Sequence, residues 1–274
     1  MNTEKIWLVT GASTGLGLVL VKMLLDRGHK VAATARDGDA LLEAVGAKLE
    51  GQFLPLSVDL ADERNVRRAV DATMAAFGGV DVVVNNAGDA LQGSLDSLSD
   101  DALRGTFDIN VFGMLNVIRA VLPRMRTQRS GHVFNISSIL GFDGGYAQWG
   151  AYSAAKFAVS GLTEALAAEA SAWGVRVSLV YPGAMRAGSH PDRGDAPEMA
   201  ARDPLRQELG GDPVKAAQAL ISAAQAQYAP LHLFLGRDAF DQARGKIQSV
   251  QQELARWREM SVSIGFVDER RLAA

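Results

Sequence analysis

The sequence predicts an α/β fold: a doubly wound parallel sheet of about seven strands with helices on both faces, in a single domain spanning residues 1–274. Short apolar runs recur along the chain, and stretches with helical spacing separate them. This strict alternation favours right-handed crossovers and a mainly parallel sheet. A length of 274 residues suits one domain of this class.

Seven runs are almost wholly apolar, as expected of strands buried on both faces of a sheet. Ligands of such sheets bind beyond the carboxyl ends of the strands, so functional motifs are expected directly after these runs. The predicted strands are Ile6–Thr10, Val31–Ala35, Phe53–Val58, Val80–Val84, His132–Ile136, Val175–Tyr181 and Leu231–Leu235.

The clearest predicted helix follows Asp62. Its apolar residues, from Val66 to Phe77, repeat with a period of about 3.6 residues, which is typical of one buried helical face. Gly78 and Gly79 are expected to end it.

The last third of the chain is predicted to contain a lid and two helices. Residues 183–211 hold three prolines and no helical period, which favours a loop that folds over a substrate cleft. Asp212 and Pro213 have the residue types of an N-cap and a first helical position. A long helix from Asp238 to Met260 is expected either to cover the sheet edge or to meet another subunit.

Composition narrows the function classes. A net charge of −3 without a basic run argues against nucleic acid as a partner, and the absence of cysteine excludes thiol nucleophiles and disulfides. The polar start of the chain argues against a signal peptide. No uncharged run is long enough to predict a membrane span. The four histidines lack the spacing of metal ligands. We therefore expect a cytoplasmic protein that acts on a small molecule without a metal, and leave a homo-oligomer open.

A glycine-rich turn follows the first predicted strand. Residues 10–17 read TGASTGLG, whose glycines permit a tight turn and close backbone approach. The helix that follows presents unpaired N–H groups to an anion, so we expect a pyrophosphate there. The spacing departs from the more common G-x-G-x-x-G pattern.

Tyr152 and Lys156 stand four residues apart at the start of a predicted helix, so they share one helical face. A tyrosine titrates at about 10, and a neighbouring ammonium favours its phenolate form. The pair is a candidate for general acid–base catalysis near neutral pH. The alternative interpretation is an aromatic residue that opens an amphipathic helix, with a solvated lysine one turn further on.

Two more polar motifs follow predicted strands: NISS, which ends at Ser138, and NNAG at residues 85–88. Together with T-G-x-x-x-G-x-G and Y-x-x-x-K, they resemble the motifs of the one-domain short-chain dehydrogenases/reductases. The resemblance extends through Pro182 and Gly183. It implies a Rossmann-like fold and a nicotinamide coenzyme.

The resemblance also implies a role for each matching residue. Tyr152 would exchange a proton with the substrate oxygen, and Lys156 would lower the pKa of that tyrosine and bind the nicotinamide ribose. Ser138 would bind the substrate oxygen, and Asn110 would hold a proton-relay water. Asp59 would contact the adenine amine, and residues 86–88 would line the adenosine side of the cleft. The implied coenzyme contacts are Gly11, Ser13, Gly15, Leu16, Gly17, Asp59, Leu60, Asn86, Ala87, Gly88, Pro182 and Gly183, beside Tyr152 and Lys156.

The end of the second strand decides the choice of coenzyme. Ala35 is followed there by Arg36, whose guanidinium suits a 2′-phosphate, and this favours NADP(H). Asp37 would favour NAD instead if the strand ended one residue later.

The substrate is expected to be an apolar or aromatic carbonyl compound or secondary alcohol, because three aromatic residues stand near the motifs. These are Phe142, Tyr146 and Trp149, and the alternative is that they only pack the entry to the helix. Ala187 stands where the family commonly has a threonine that contacts the carboxamide. Two further functions stay open: a nicotinamide-sensing binding protein without turnover, and a lyase or epimerase that uses the same machinery.

Overall fold

The computed structural model describes residues 4–46, 51–185 and 210–264. Seven parallel strands form one sheet in the order β3-β2-β1-β4-β5-β6-β7. The strands are β1 Ile6–Thr10, β2 Lys30–Ala35, β3 Phe53–Ser57, β4 Val82–Asn85, β5 Gly131–Ile136, β6 Val175–Pro182 and β7 His232–Leu235. The predicted doubly wound α/β fold is confirmed, and every predicted strand overlaps an observed one.

The helices alternate with the strands along the chain. They are α1 Gly15–Leu25, α2 Gly38–Val45, α3 Glu63–Phe77, α4 Asp100–Phe107, α5 Met114–Gln128, α6 Gly150–Ala170, α7 Pro213–Gln225, α8 Arg237–Arg256 and α9 Arg258–Val262. A π-helical turn, Asp108–Gly113, joins α4 to α5. Gly78 ends α3 with φ +84° and Asp212 caps α7, as the sequence predicts, and the side chain of Asp62 caps α3.

Two apolar layers cover the two faces of the sheet. Helices α1, α2 and α7 supply one layer, and α3, α5 and α6 supply the other. Strand order reverses between β1 and β4, where the connections leave on opposite faces and open a crevice beyond the strand ends. The predicted motifs all lie near this edge of the sheet.

The C-terminal helix differs from its prediction. A single helix was expected from Asp238 to Met260, but α8 ends at Arg256 and Trp257, at φ −101° and ψ 10°, separates it from α9. The physical reason is that packing on the rest of the described chain does not hold this end, since every residue from 244 to 264 is exposed.

One stretch of the described chain, Asp100–Gln128, is long and apolar enough to cross a membrane by length and composition. Half of its most apolar window is buried inside the protein. Core helices of soluble proteins have the same property, so the stretch is weak evidence for a membrane span.

Candidate active site

The glycine-rich turn between β1 and α1 approaches the end of β4 very closely. A Cβ on Gly11, whose φ is +64°, would lie 2.6 Å from Cα of Ala87, and one on Gly17 would lie 2.5 Å from the carbonyl oxygen of Gly11. Gly15 has φ +56° but open space around it. Only residues without a Cβ therefore allow this contact between the two loops.

The N-terminus of α1 opens toward the crevice beside this turn. Thr14 occupies the N-cap position without a side-chain hydrogen bond, and the first turn carries no acidic residue. The first N–H groups of the helix therefore keep their partial positive charge for an external anion. Ser13 and Leu16, both partly exposed, flank this end of the helix.

A set of hydrogen bonds that sequence reasoning missed fixes the turn. The Thr10 hydroxyl accepts from the backbone N–H groups of Asn86 and Ala87, each at 3.1 Å, while the Asn86 amide donates to the carbonyl oxygen of Gly11 at 2.9 Å. Asn86, expected as a coenzyme contact, thus braces the turn with its side chain. The signal in the sequence was the threonine that begins the TG motif.

Helix α6 brings Tyr152 and Lys156 together on one face. Nζ of Lys156 lies 5.6 Å from the centre of the Tyr152 ring. The Ser138 side chain, which follows β5, hydrogen-bonds to the Tyr152 phenol. A hydroxyl that follows β5 and a phenol and an ammonium from α6 therefore meet at the edge of the sheet.

The protonation of Tyr152 differs from the prediction. We expected the neighbouring ammonium to lower the pKa of the phenol, but burial raises it to about 12, with a smaller contribution from the negative charge of Asp89. The hydrogen bond from Ser138 acts in the opposite direction and is too weak to offset burial. The phenol is therefore protonated at neutral pH in the protein without coenzyme.

Lys156 is held inside the fold. Its side chain is buried and its Nζ donates to the carbonyl oxygen of Ile136 at 3.0 Å. Burial lowers the pKa of Lys156 to about 8. Ser137 donates to the Lys156 carbonyl oxygen at 3.0 Å, so the first serine of the pair positions the helix while Ser138 faces the phenol.

Asn110 sits in the π-helical turn, a local geometry that is frequent at functional sites. Its amide nitrogen donates to the carbonyl oxygens of Asp89 and Thr106 at 2.8 and 2.9 Å. Its buried Oδ1 has no hydrogen-bond partner within the described residues. A Cβ on Gly88 would lie 2.7 Å from this oxygen and 3.2 Å from Nζ of Lys156. Gly88 therefore lies beside Asn110 and Lys156, on the catalytic side of the crevice.

Arg36 and Asp37 occupy different environments after β2. Arg36 is exposed directly beyond the strand. Asp37 is the N-cap of α2, where its Oδ1 accepts from the N–H groups of Asp39 and Ala40 at 3.0 Å each. The carboxylate that could have favoured NAD is thus engaged in capping.

The two predicted contacts after β3 are held by local bonds. The Asp59 carboxylate is exposed and accepts from the N–H of Ala61 at 2.9 Å. The Leu60 carbonyl oxygen accepts from the Asn116 amide at 2.9 Å, which ties this loop to α5.

The loop after β6 rests on the start of α8. Pro182 ends the strand, and a Cβ on Gly183 would overlap the carboxylate of Asp238. That carboxylate accepts from the N–H of Ala184 at 2.7 Å. Most of the predicted lid, including Ala187, lies outside the described residues.

The family model described as short chain dehydrogenase matches residues 5–196. The chain belongs to the short-chain dehydrogenase family.

Several known members of the family are similar along most of their length. Oxidoreductase BOA17 of Botryotinia fuckeliana (strain B05.10) is 33% identical over 271 residues, which cover 94% of this chain and 98% of that protein. The crystal structure of a short-chain dehydrogenase from Streptomyces avermitilis is 37% identical, with a TM-score of 0.86 over 97% of this chain and 100% of the other. A short chain dehydrogenase from Burkholderia cenocepacia J2315 in complex with NADP is 27% identical, with a TM-score of 0.75 over 92% and 97% of the two chains.

In this short-chain dehydrogenase, two of the three predicted pocket aromatics pack inside the fold. Phe142 lies edge-on to Tyr181 and Phe234, with ring centres 5.6 and 5.2 Å apart. Trp149 is buried and lies edge-on to Tyr152 at 6.0 Å. These contacts favour the alternative interpretation of Phe142 and Trp149, in which their rings pack the entry to the helix. Tyr146 is partly exposed beside them.

Proposed function

We propose that this short-chain dehydrogenase is an NADP(H)-dependent oxidoreductase that transfers hydride between nicotinamide and a carbonyl or secondary alcohol, with Tyr152 as general acid/base. The observation that carries the proposal is the meeting of Ser138, Tyr152 and Lys156 beside the end of β4. The fit of a dinucleotide is supported by the uncapped start of α1, and the buried, unpartnered Oδ1 of Asn110 supports a bound water.

The bound coenzyme would supply or accept the hydride, and the protein would manage the proton. In reduction, the Tyr152 hydroxyl donates its proton to the carbonyl oxygen, which becomes the alcohol hydroxyl. The Ser138 hydroxyl donates a hydrogen bond to the same oxygen. A phenol that is protonated at neutral pH, with its pKa at about 12, is the form that this direction requires.

Lys156 stabilises the phenolate that Tyr152 becomes after it has given up its proton, because its ammonium lies close to the ring. With a pKa of about 8, the ammonium is mostly charged at neutral pH and loses its charge at higher pH. The rate of reduction is therefore expected to fall as the pH rises through about 8. Asn110 is proposed to hold the water through which Tyr152 regains a proton.

The preference for NADP(H) rests on Arg36. Its exposed guanidinium can bind a 2′-phosphate in bidentate fashion, whereas the carboxylate of Asp37 is occupied at the start of α2. The NADP in the Burkholderia cenocepacia structure is consistent with this choice.

The test is turnover with NADPH and NADH across a panel of ketones and aldehydes, followed by loss of the absorbance of the reduced nicotinamide. We expect a higher kcat/KM with NADPH than with NADH. Arg36→Glu should lower the ratio of the two kcat/KM values by roughly tenfold to a hundredfold, because a charge-assisted hydrogen bond to the 2′-phosphate is lost and the new carboxylate repels that phosphate. Arg68→Glu, at an exposed position on α3, is the matched control and should leave the ratio unchanged.

The same assay separates the alternatives. An NADH preference would reject the coenzyme assignment. Tight coenzyme binding without turnover of any substrate would favour the nicotinamide-sensing protein, and conversion of substrate without net coenzyme consumption would favour a lyase or epimerase.

A further inference from the structure

The segment after β4, residues 88–99, which we call the β4 loop, carries an aspartate to the candidate active site. The carbonyl oxygen of Asp89 accepts from the Asn110 amide at 2.8 Å. The preceding Gly88 contacts both candidate catalytic groups, since a Cβ on it would lie 2.7 Å from Oδ1 of Asn110 and 3.2 Å from Nζ of Lys156. That Oδ1 is buried and lacks a hydrogen-bond partner in the described part of the chain, which indicates a polar ligand or a water here. The backbone therefore holds Asp89 beside the reacting groups, while its side chain is exposed.

The β4 loop is fastened to residues 139–149, which we call the α6 entry loop. The N–H of Gly93 donates to the carbonyl oxygen of Gln148 at 2.9 Å. Gln148 has φ +68°, a strained conformation for a residue with a side chain, and such strain is concentrated at functional sites. Leu95 packs on Gly150, where a Cβ would lie 2.8 Å from the leucine side chain. The β4 loop therefore has a fixed place beside the start of α6.

No positive charge balances the carboxylate of Asp89 within the part of the chain that the structure describes. The β4 loop and the α6 entry loop contain no lysine, arginine or histidine. Asp89 makes one hydrogen bond to the described residues, through its backbone carbonyl oxygen, and no ion pair. The ammonium of Lys156 donates to the carbonyl oxygen of Ile136 instead, and burial lowers the pKa of Lys156 without a contribution from Asp89.

The two other acidic residues of these loops differ from Asp89. Asp143 lies 3.9 Å from Nζ of Lys246, and Asp96 hydrogen-bonds to a serine of its own loop. The pKa of the Tyr152 phenol is raised by burial and further by the charge of Asp89, with no contribution from the other two carboxylates. The charge of Asp89 is thus the one that reaches the group expected to give its proton to the substrate.

A negative charge at this place opposes the proposed reduction unless the substrate offsets it. Tyr152 becomes a phenolate when it has given up its proton, and two negative charges close together raise the free energy of that state. A positive group near the substrate carbonyl would lie close to both charges and attract each of them. A neutral substrate lacks this attraction, and an anionic one adds a third negative charge. The site therefore favours cationic over neutral carbonyl compounds, and neutral over anionic ones.

We propose that Asp89 selects the substrate by its charge, and that the preferred substrates are carbonyl compounds with an ammonium group close to the carbonyl. This inference rests on the proposed function, because it takes the substrate oxygen to be bound at Tyr152 and Ser138.

Two ketones of the same shape and different charge test the proposal. Phenacyltrimethylammonium carries a permanent positive charge, and neopentyl phenyl ketone has a carbon atom in place of the nitrogen. Calorimetric titration of the full-length protein with oxidised coenzyme bound gives both dissociation constants without turnover. We expect the cation to bind about fivefold to tenfold more tightly, because an ion pair partly shielded from water is stronger than a fully exposed one. Phenacylsulfonate, an anion of similar size, should bind more weakly than the neutral ketone.

Variants of Asp89 show whether this residue causes the preference. Asp89→Asn keeps the shape of the side chain and should remove the fivefold to tenfold preference for the cation, since about one ion pair is lost. Asp89→Lys should make the sulfonate bind more tightly than the cation. Asp96→Asn removes the same charge from an exposed position in the same loop and is the matched control, which should keep the wild-type preference. The preference of the wild-type protein should also decrease as salt is added.

Equal preferences in Asp89→Asn and in Asp96→Asn, or tighter binding of the neutral ketone than of the cation by the wild-type protein, would overturn the charge selection. If ketones are nevertheless reduced, the proposed function survives that result. Charge-dependent binding that is lost in Asp89→Asn, by a protein that reduces no ketone, would support the charge selection and overturn the proposed oxidoreductase.

Discussion

The part of the candidate site expected to bind the coenzyme, the coenzyme half, depends on glycines, which have no side chain. The part around Tyr152, the catalytic half, depends on buried polar side chains. At the ends of β1 and β4, Gly11 and Gly17 bring loops together at distances that no Cβ permits. Ser137, which follows β5, and Ser160 of α6 donate to the carbonyl oxygen of Lys156 at 3.0 Å each, and Nζ of Lys156 donates to the carbonyl oxygen of Ile136 in β5. Substitutions in the coenzyme half are therefore expected to disrupt it by steric collision. Substitutions in the catalytic half are expected to disrupt it by leaving buried polar groups without hydrogen bonds.

Substitutions in the two halves should consequently affect different measured quantities. Changes in the glycine turn are expected to remove coenzyme binding, while changes around Tyr152 are expected to remove turnover from a protein that still binds its coenzyme.

Tyr152→Phe should have the largest effect. It removes the phenolic proton and keeps the ring that packs on Trp149, so we expect kcat to fall by about a hundredfold to ten-thousandfold. The coenzyme dissociation constant, measured by fluorescence titration, should change little. Tyr228→Phe, at a residue that is 85% exposed, is the control and should keep the wild-type rate. Full activity in Tyr152→Phe would eliminate this residue as the acid.

Gly17→Ala should abolish measurable coenzyme binding at ordinary concentrations. The new Cβ would lie 2.5 Å from the Gly11 carbonyl oxygen and 2.6 Å from the Asn86 amide, so the turn must move. Gly15→Ala is the comparison, because Gly15 has the unfavourable φ of +56° but free space, and only strain of about 1 kcal/mol is expected. Equal affinities in both variants would show that collision does not shape this half.

The free energy of unfolding at acidic pH should depend on His132, a residue outside the candidate site. His132 is buried, and burial together with the charge of Arg176 lowers its pKa to about 3, against 6.5 for the free side chain. Between those pH values the unfolded chain binds more protons, so the free energy of unfolding falls as the pH is lowered from 6.5 toward 3, by roughly 4 kcal/mol from this group.

Denaturant titrations at several pH values check this expectation. His132→Gln should flatten the acid limb of the stability curve, while the exposed His232→Gln should not. Burial also lowers the pKa of His29, so part of the dependence of the free energy of unfolding on pH should remain in His132→Gln. An unchanged slope in His132→Gln would refute the assignment.

Gly161→Ala should have the smallest effect, and a favourable one. Gly161 lies in α6, is exposed and has nothing within 4 Å of a Cβ, so alanine should raise the free energy of unfolding by about 0.5–1 kcal/mol. A loss of stability would mean that glycines of α6 are constrained like those of the turn.

The sequence was sufficient to predict the fold and which residues meet at the site. Strand runs, helical period and caps are local, so Asp62, Gly78 and Asp212 end or begin helices as predicted. Ser138 and Tyr152 lie close together because Ser138 follows the end of β5 and Tyr152 lies on the helix that faces this end, while their catalytic roles stay predictions.

Properties that depend on distant neighbours escaped prediction. The raised pKa of Tyr152 comes from burial, which no spacing records. The contact of Asp238 with Gly183 joins residues far apart in the chain, and the packing of Phe142 on Tyr181 depends on the path of β6. The break at Trp257 follows a stretch of α8 in which every residue from 244 onward is exposed, so the described part of the chain does not pack against it.

Isotope transfer tests the central claim most directly. With NADPH deuterated at nicotinamide C4 and a ketone identified by the substrate panel, we expect one deuterium on the carbinol carbon of each alcohol formed by the wild-type protein, as read by mass spectrometry. In D₂O with unlabelled NADPH, that carbon should carry none, because the solvent proton reaches only the oxygen through Tyr152. Alcohol whose carbon takes its hydrogen from solvent would contradict hydride transfer at this site.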